Sequence, residues 1–296
     1  MQGSSQTPAR DLYAVVTGRI IQALEQGVRP WVCPWARGGS HTRPLRATGE
    51  PYRGVNVLLL WATAQERGYR APTWMTYRQA EALGGQVRKG ERGTLVVYAG
   101  QVKPEERDDT AEPAEPASHR ARSFLRSFTV FNAEQIDGLA TAGTPAPDIP
   151  AELGDQAHML IERAGATVRH GGDRAYYAPE LDVVQMPERS RFREAAGYVS
   201  TLAHELVHWT GHGDRLARTF GARFGDEAYA VEELVAELGS AFLCADLQIG
   251  TEPRDDHAGY LAHWLSVLKA DKRALFTAAA QAQRAADFIM NREQVA

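Results

Sequence analysis

The first part of the chain alternates between segments with helical and with strand periodicity. From residue 11 to residue 26 the apolar side chains recur every three or four positions, which predicts an amphipathic helix capped by Asp11 and ended by Gly27. Two later segments rich in β-branched and aromatic residues predict a pair of strands. The predicted elements are helices over residues 11–26, 57–67 and 78–83 and strands over residues 94–98 and 124–131.

After residue 150 the pattern changes to short strands followed by long helices. Two other segments cannot build a core: residues 103–123 are rich in Pro, Glu and Asp, and residues 138–150 are rich in Pro and Ala. We expect the first to be a flexible insertion and the second a linker. The sequence therefore predicts an α+β protein with two domains, residues 1–137 and 151–296. In the second domain the predicted elements are strands over residues 167–169, 175–177 and 182–185 and helices over residues 151–164, 201–212, 232–244, 257–270 and 272–291.

The helix predicted over residues 201–212 contains the motif H-E-x-x-H, as His204, Glu205 and His208. Helical residues four apart lie on one face, so both imidazoles can reach a single ion. Zinc hydrolases use this arrangement, with a neighbouring carboxylate, here Glu205, as the general base. Because the five-residue motif also occurs by chance, the third ligand decides how strongly the motif indicates a metal site.

The alternatives for the third ligand are a Glu of the next predicted helix, Asp214 or no protein residue. Glu233 lies on the next predicted helix, and Glu237, one turn further on, would brace a histidine from outside the ligand set. Glu232 points about 100° away from Glu233 on an ideal helix and is the weaker candidate. Asp214 occupies the place of the third histidine in the metzincin pattern, and the site could also lack a third protein ligand. We favour Glu233, with Zn²⁺ as the ion and Mn²⁺ as the alternative.

Composition narrows the cellular setting. Hydrophobic residues make up 44% and charged residues 24% of the chain, values typical of soluble globular proteins. The two cysteines, Cys33 and Cys244, are far apart and form no C-x-x-C motif, which favours a reducing compartment. No apolar run approaches the length of a membrane span, and residues 1–9 lack a hydrophobic signal core. We expect a cytoplasmic protein with no membrane partner.

The overall charge of −4 conceals an asymmetry: residues 1–100 carry +7 and the rest −11. Four of the six tryptophans lie in this basic part, and the glycine-rich segment 84–93 contains three basic residues. Cationic side chains follow nucleic-acid backbones, and aromatic rings stack on unpaired bases. The first domain is therefore predicted to bind single-stranded nucleic acid. The alternative is a solvated basic surface over an aromatic core.

These motifs together resemble the ArdC-type antirestriction proteins of conjugative plasmids over nearly the whole chain. The first domain resembles a single-stranded-DNA-binding domain that plasmid primases of the TraC type also carry, and the second resembles the zincin-like metallopeptidase domain of the family. The matching segments are residues 34–35, 52–56, 74–77, 85–90 and 131–135 in the first domain and residues 204–212, 215–216, 232–237 and 264–273 in the second.

The resemblance implies non-specific binding of single-stranded DNA and protection of incoming plasmid DNA from host restriction. Protection could result from coating of the DNA alone. Alternatively, the protein could be a DNA-dependent protease that cleaves a DNA-bound protein such as a restriction component. The linker and the opposite charges suggest that DNA releases a second domain held by the first. The candidate DNA-contacting residues are Trp31, Trp35, Tyr52, Arg53, Asn56, Trp74, Tyr77, Arg88, Lys89 and Arg92.

Overall fold

The predicted helices and strands occur in the predicted order, and the first half has four further short strands, over residues 45–46, 73–75, 86–87 and 136–137, that were not predicted. The computed structural model describes residues 11–34, 42–102, 122–139, 153–219, 227–250 and 257–290. Its helices are α1 (Leu12–Glu25), α2 (Val55–Arg67), α3 (Tyr77–Ala82), α4 (Leu153–Ala164), α5 (Ala195–Thr210), α6 (Glu227–Asp246), α7 (His257–Ala270) and α8 (Ala274–Met290). Its strands are β1 (Leu45–Arg46), β2 (Thr73–Met75), β3 (Gln86–Val87), β4 (Thr94–Val102), β5 (Arg122–Asn132), β6 (Ile136–Asp137), β7 (Thr167–His170), β8 (Tyr176–Ala178) and β9 (Val183–Met186). The α+β class predicted from the sequence is confirmed.

Local sequence signals explain where the first helices begin and end. The Asp11 carboxylate accepts a hydrogen bond from the backbone N–H of Ala14, as expected of an N-terminal cap. Thr76 and Gln79 form a reciprocal capping box at the start of α3. Helix α2 ends at Gly68, whose φ of 72° lies in the left-handed region that glycine adopts without strain. These caps satisfy backbone donors and acceptors that the helix ends would otherwise leave unpaired.

Among the described residues, the strands form three small sheets. The largest has the order β1-β2-β5-β4, and β4 and β5 pair antiparallel from Thr94 opposite Val130 to Val102 opposite Arg122. This pairing confirms the prediction for the two strands. A two-stranded sheet joins β3 to β6, and a third has the order β7-β9-β8. The predicted insertion lies outside the described residues except for Arg122 and Ser123, which belong to β5.

One hydrophobic core extends across both predicted domains. Its buried residues run from Val16 in α1 to Ile289 in α8. Helix α1 packs against α7, and α2 packs against α8. At one of these junctions Trp31 and Trp264 meet edge to face, with 5.2 Å between ring centroids. The halves are therefore held together by apolar packing, whereas the sequence suggested that opposite charges draw two loosely tethered domains together.

A buried arginine adds polar contacts between the two halves. Arg43, from the segment before β1, donates to the Asp246 carboxylate at 2.5 Å and to the Gln283 amide oxygen at 2.6 Å. Its guanidinium also lies 4.8 Å from the ring centroid of Phe242. The linker segment 140–150 lies outside the described residues. Among the helices that the structure describes, none combines the length and apolar character needed to cross a membrane.

Candidate metal centre and nucleic-acid surface

Helix α5 places the two motif histidines one turn apart. Its apolar residues, among them Leu202, Leu206 and Val207, are fully buried, which fixes the helix in the core. The Nε2 atoms of His204 and His208 lie 3.2 Å apart, so the two rings converge on one point. The sequence prediction that both imidazoles face a common site therefore agrees with the observed geometry.

Helix α6 supplies a carboxylate at the same point. Glu233 Oε2 lies 3.5 Å from His204 Nε2, and Glu233 Oε1 lies 3.6 Å from His208 Nε2. One ligand atom from each of these three residues falls within 4.8 Å of the other two. Asp214, the alternative third ligand, has a side chain that is 90% exposed and lies beside His212 instead. Of the two candidates, the structure brings only Glu233 to the histidines.

Close packing of α6 on α5 makes this approach geometrically feasible. Gly239 of α6 faces Val207 of α5, and a Cβ atom at Gly239 would lie 2.7 Å from Val207 Cγ2. The next residue of α6, Ser240, donates its hydroxyl hydrogen to the backbone carbonyl of Ser200 in α5 at 2.9 Å. A small residue and a cross-helix hydrogen bond thus hold the two backbones near each other.

Each histidine also has a carboxylate on the side away from the convergence point. His204 Nδ1 lies 3.3 Å from Glu237 Oε1, where the sequence placed a bracing residue. His208 Nδ1 lies 3.1 Å from Glu232 Oε1. Because a carboxylate only accepts hydrogen bonds, it favours a proton on each Nδ1 and leaves each Nε2 with its lone pair. Two lone pairs and a carboxylate that face one another fit a divalent metal ion.

Burial and hydrogen bonding act oppositely on the two acids nearest the histidines. Burial alone would raise the pKa of Glu232, but hydrogen bonds from His208 and Arg218 outweigh it and hold the pKa below its ordinary value. Burial likewise opposes ionisation of Glu233, but the adjoining imidazoles of His204 and His208 outweigh it when they are protonated on Nε2 and lower the pKa of Glu233. Both acids are therefore carboxylates at neutral pH, the form in which Glu233 can bind a metal ion.

Glu205 follows His204 on α5, and its side chain is buried. A carboxylate that directly follows one of two converging histidines in the sequence is the residue type that a hydrolytic metal site requires as a base. The role of Glu205 as a general base stays a prediction.

The predicted aromatic contacts to DNA are largely wrong, because these rings lie inside the core. Trp31, Tyr52 and Trp74 are buried, so none of them can stack on a base. Burial of the large apolar area of an aromatic ring stabilises the fold. A high aromatic content therefore does not by itself indicate a DNA-binding surface. Asn56 exchanges two hydrogen bonds of 2.8 Å with the backbone of Val97, which joins α2 to β4. Trp35 lies outside the described residues.

The remaining candidates are on the surface. Tyr77, Lys89 and Arg92 are exposed. Arg88 is also exposed but already pairs with Asp137 and Glu91. Arg53 forms an ion pair with Asp287 of α8 and therefore connects the two halves. The basic segment between β3 and β4 thus remains available to a phosphate backbone, whereas Arg53 has a structural partner.

Comparison with known proteins identifies both halves. Residues 10–131 match the N-terminal domain of anti-restriction factor ArdC, and residues 155–281 match a zincin-like metallopeptidase. The metal-free crystal structure of the antirestriction protein ArdC from plasmid R388 is similar to the whole chain. It is 43% identical, with a TM-score of 0.78, and the match covers 97% of this chain and 99% of that one. The chain belongs to the ArdC family of antirestriction proteins.

A second structure of the R388 protein and two further proteins are also similar to this chain. The Mn(II)-bound structure of the R388 protein has a TM-score of 0.77 and 43% identity over 95% of this chain and 98% of that one. An uncharacterised protein of Sinorhizobium fredii, y4eC, is 46% identical over 96% of this chain and 92% of its own length. DNA primase TraC of Escherichia coli is 40% identical over 94% of this chain, which spans only 27% of that primase. The likeness to TraC thus concerns one segment of a longer protein.

Two residues of this ArdC-family site escaped prediction from sequence. Glu232 was considered only as a weak ligand, whereas it contacts the outer nitrogen of His208. Arg218 was not considered, yet its side chain is 4% exposed and donates to Glu232. The Glu232-Glu233 doublet was the available signal, since adjacent helical acids can reach opposite sides of one histidine. No sequence pattern indicated Arg218.

Proposed function

We propose that this protein acts in the cytoplasm, where it binds single-stranded DNA without sequence preference and shields incoming plasmid DNA from host restriction. The observation that carries the proposal is the pair of exposed basic residues Lys89 and Arg92 within the ArdC N-terminal domain. Gly90, between these two residues, has a φ of 89°, a conformation that glycine adopts without strain, and its lack of a side chain lets phosphates approach closely. DNA coated in this way would be withheld from a nuclease that cuts duplex.

We further propose that His204, His208 and Glu233 hold one divalent ion, preferably Zn²⁺, with Mn²⁺ as the alternative. Two imidazole nitrogens and one carboxylate are a ligand set that zinc favours. When bound, the ion would polarise a water molecule and a peptide carbonyl. The chain's own part would be to fix the ligand geometry and to supply Glu205 as a base.

A second candidate function is DNA-dependent cleavage of a protein on the same strand, such as a restriction component. Glu205 favours it, because a site that serves only to stabilise the fold needs no buried base beside its ligands. In this reaction Glu205 accepts a proton from the attacking water and passes it to the leaving amine. The two functions share the DNA-binding surface and differ in whether Glu205 is required.

DNA binding is tested by fluorescence anisotropy with labelled oligonucleotides on the full chain. We expect a preference for single strands over duplex and an affinity that falls steeply as salt rises, because binding releases cations from the strand. Replacement of exposed Lys89 and Arg92 by Gln should weaken binding and reduce the salt slope. Equal affinity for duplex and single strand, or no dependence on salt, would contradict the proposal.

The role of Glu205 is tested in cells by transfer of unmodified plasmid DNA into a restricting host. Coating predicts full protection by Glu205→Gln and lost protection by the Lys89→Gln, Arg92→Gln variant. Proteolysis predicts that both variants fail to protect. Metal content, measured on the purified Glu205→Gln protein, should match wild type and so separates a lost base from a lost ion.

A further inference from the structure

The hairpin of β4 and β5 carries large aromatic side chains on a surface exposed to solvent. The antiparallel register places Tyr98 opposite Arg126 and Gly100 opposite Phe124, with Val96 opposite Phe128. Residues that face each other across a strand pair, and residues two apart along a strand, lie on the same face of the sheet. Tyr98, Phe124, Arg126 and Phe128 therefore share one face, which we call the hairpin face.

Exposure on the hairpin face is high for such large rings. Tyr98 is 57% exposed and Phe128 is 48% exposed. The same face is buried nearer the core, at Thr94, Val96 and Val130. An exposed strand face ordinarily carries polar residues, because exposed aromatic area contributes nothing to folding. The aromatic residues here thus point to a ligand that covers them.

Contacts within the hairpin face arrange the rings for stacking. The guanidinium carbon of Arg126 lies 4.8 Å from the ring centroid of Phe124. The rings of Tyr98 and Phe124 have centroids 6.4 Å apart. Phe124, Arg126 and Phe128 alternate along β5, so successive side chains stand about 6.6–6.8 Å apart. Arginine and aromatic side chains presented by a sheet at this spacing can each take one base.

The charge of the hairpin face indicates which kind of ligand it binds. Strands β4 and β5 contain Arg122 and Arg126 and no Asp or Glu, whereas the chain as a whole is acidic. An aromatic surface with positive and no negative charge matches unpaired bases on a phosphate backbone. The predicted stacking residues Trp31, Tyr52 and Trp74 are buried and cannot supply this contact.

We propose that the hairpin face is the platform on which single-stranded DNA stacks its bases, with Tyr98 and Phe128 as the main contacts and Arg126 between them. This inference rests on the proposed DNA binding and adds the surface on which the bases stack. The platform reads no sequence, because every base offers a ring face.

The test uses full-length variants and a labelled oligothymidylate in anisotropy titrations. Tyr98→Ala and Phe128→Ala should each weaken binding by about ten-fold, and Tyr98→Phe should bind as wild type because it keeps the ring. Tyr176→Ala is the matched control, since Tyr176 is 51% exposed on β8 of the other half. The salt slope should stay unchanged in Tyr98→Ala and fall in Arg126→Gln, because the slope counts phosphate contacts.

The outcomes separate the two proposals. Wild-type affinity in the Tyr98→Ala, Phe128→Ala double variant, with wild type still binding DNA, would overturn the platform alone. A wild-type protein that does not bind single strands would overturn the DNA-binding function and the platform with it. If the double variant changed oligomeric state in sedimentation without losing DNA affinity, the face would be a protein contact. Photocrosslinking of iodouracil-containing oligonucleotide to Tyr98 or Phe128 would support the platform directly.

Discussion

Arg218 donates hydrogen bonds to both carboxylate oxygens of Glu232, from Nε to Oε2 at 3.0 Å and from Nη2 to Oε1 at 2.8 Å. The same Glu232 oxygen, Oε1, lies 3.1 Å from His208 Nδ1. The guanidinium therefore fixes the carboxylate that in turn fixes the tautomer and ring orientation of His208, a proposed metal ligand. Arg218 is a positioning residue, because its hydrogen bonds to Glu232 connect it to His208.

Removal of this arginine should weaken metal binding while the three ligands stay in place. For Arg218→Ala we expect an affinity for Zn²⁺ or Mn²⁺ reduced by about 10–100-fold, measured by competition with a chromophoric chelator. Arg284→Ala is the control, because Arg284 is an exposed arginine that lines a surface cavity together with Arg218. An equal loss in both variants would mean that overall charge, and not the hydrogen bonds to Glu232, determines affinity.

A double-mutant cycle tests whether Arg218 affects metal affinity through Glu232. Arg218→Ala should cost little further metal affinity in a Glu232→Gln background, because the group on which it acts is already altered. Arg218 also donates to the Thr210 hydroxyl and to the Val207 carbonyl at the end of α5. Additive losses in the double variant would therefore indicate that Arg218 supports the helix end and does not work through Glu232.

The third ligand can be settled by metal content. Glu233→Ala should lose the ion, because two remaining protein ligands bind a divalent metal weakly. Asp214→Ala should keep it, since the Asp214 side chain is exposed beside His212. Atomic emission on the two purified variants gives the answer. Full metal in Glu233→Ala with loss in Asp214→Ala would restore the metzincin-like alternative.

The parts of the site that the sequence predicted correctly are those set by local helical geometry. The spacing of His204 and His208 places them on one face whatever surrounds the helix, and Glu233 and Glu237 share a face for the same reason. The role of Glu232 depends on how α6 crosses α5, and that crossing is set by packing at Gly239 and Val207. Such tertiary information is absent from a helical pattern.

The prediction that aromatic residues contact DNA was wrong for a different reason. Composition counts rings but does not tell a buried ring from an exposed one, so Trp31 and Trp74 were predicted to bind DNA although they fill the core. Burial of Trp31 also requires Trp264, which follows more than 200 positions later in the sequence. A contact this distant is not visible in hydrophobic periodicity, and the shared core of the two halves was missed with it.

Gly239 offers a test of helix packing at the metal site. A Cβ atom added there would lie 2.7 and 2.9 Å from the two γ-carbons of Val207, so either helix α6 or the Val207 side chain must move. For Gly239→Ala we expect a loss of about 1–3 kcal/mol in unfolding free energy and weaker metal binding, because Glu233 moves with α6. Gly18→Ala in α1 is the control, since nothing lies within 4 Å of a Cβ there. That change should stabilise the protein by about 1 kcal/mol.

The two readouts of this variant distinguish strain from displacement. Lower stability with unchanged metal affinity would mean that the Val207 side chain moves while Glu233 keeps its position. Loss of both would support the view that the spacing between α5 and α6 sets the ligand geometry. Unchanged stability in Gly239→Ala would contradict the close packing itself.

The buried Arg43 tests whether the two halves unfold together. Its side chain is 3% exposed, while that of its partner Asp246 is 27% exposed. Arg43→Met keeps the length of the side chain but leaves Asp246 unpaired, and we expect a loss of about 3 kcal/mol in unfolding free energy. Arg46→Met, which breaks the exposed pair with Glu50, should cost less than about 1 kcal/mol.

Denaturant unfolding followed by tryptophan fluorescence and by far-ultraviolet circular dichroism should give one coincident transition for wild type, because both halves share a core. Two separate transitions, with only one of them shifted by Arg43→Met, would show that the halves fold independently despite that contact.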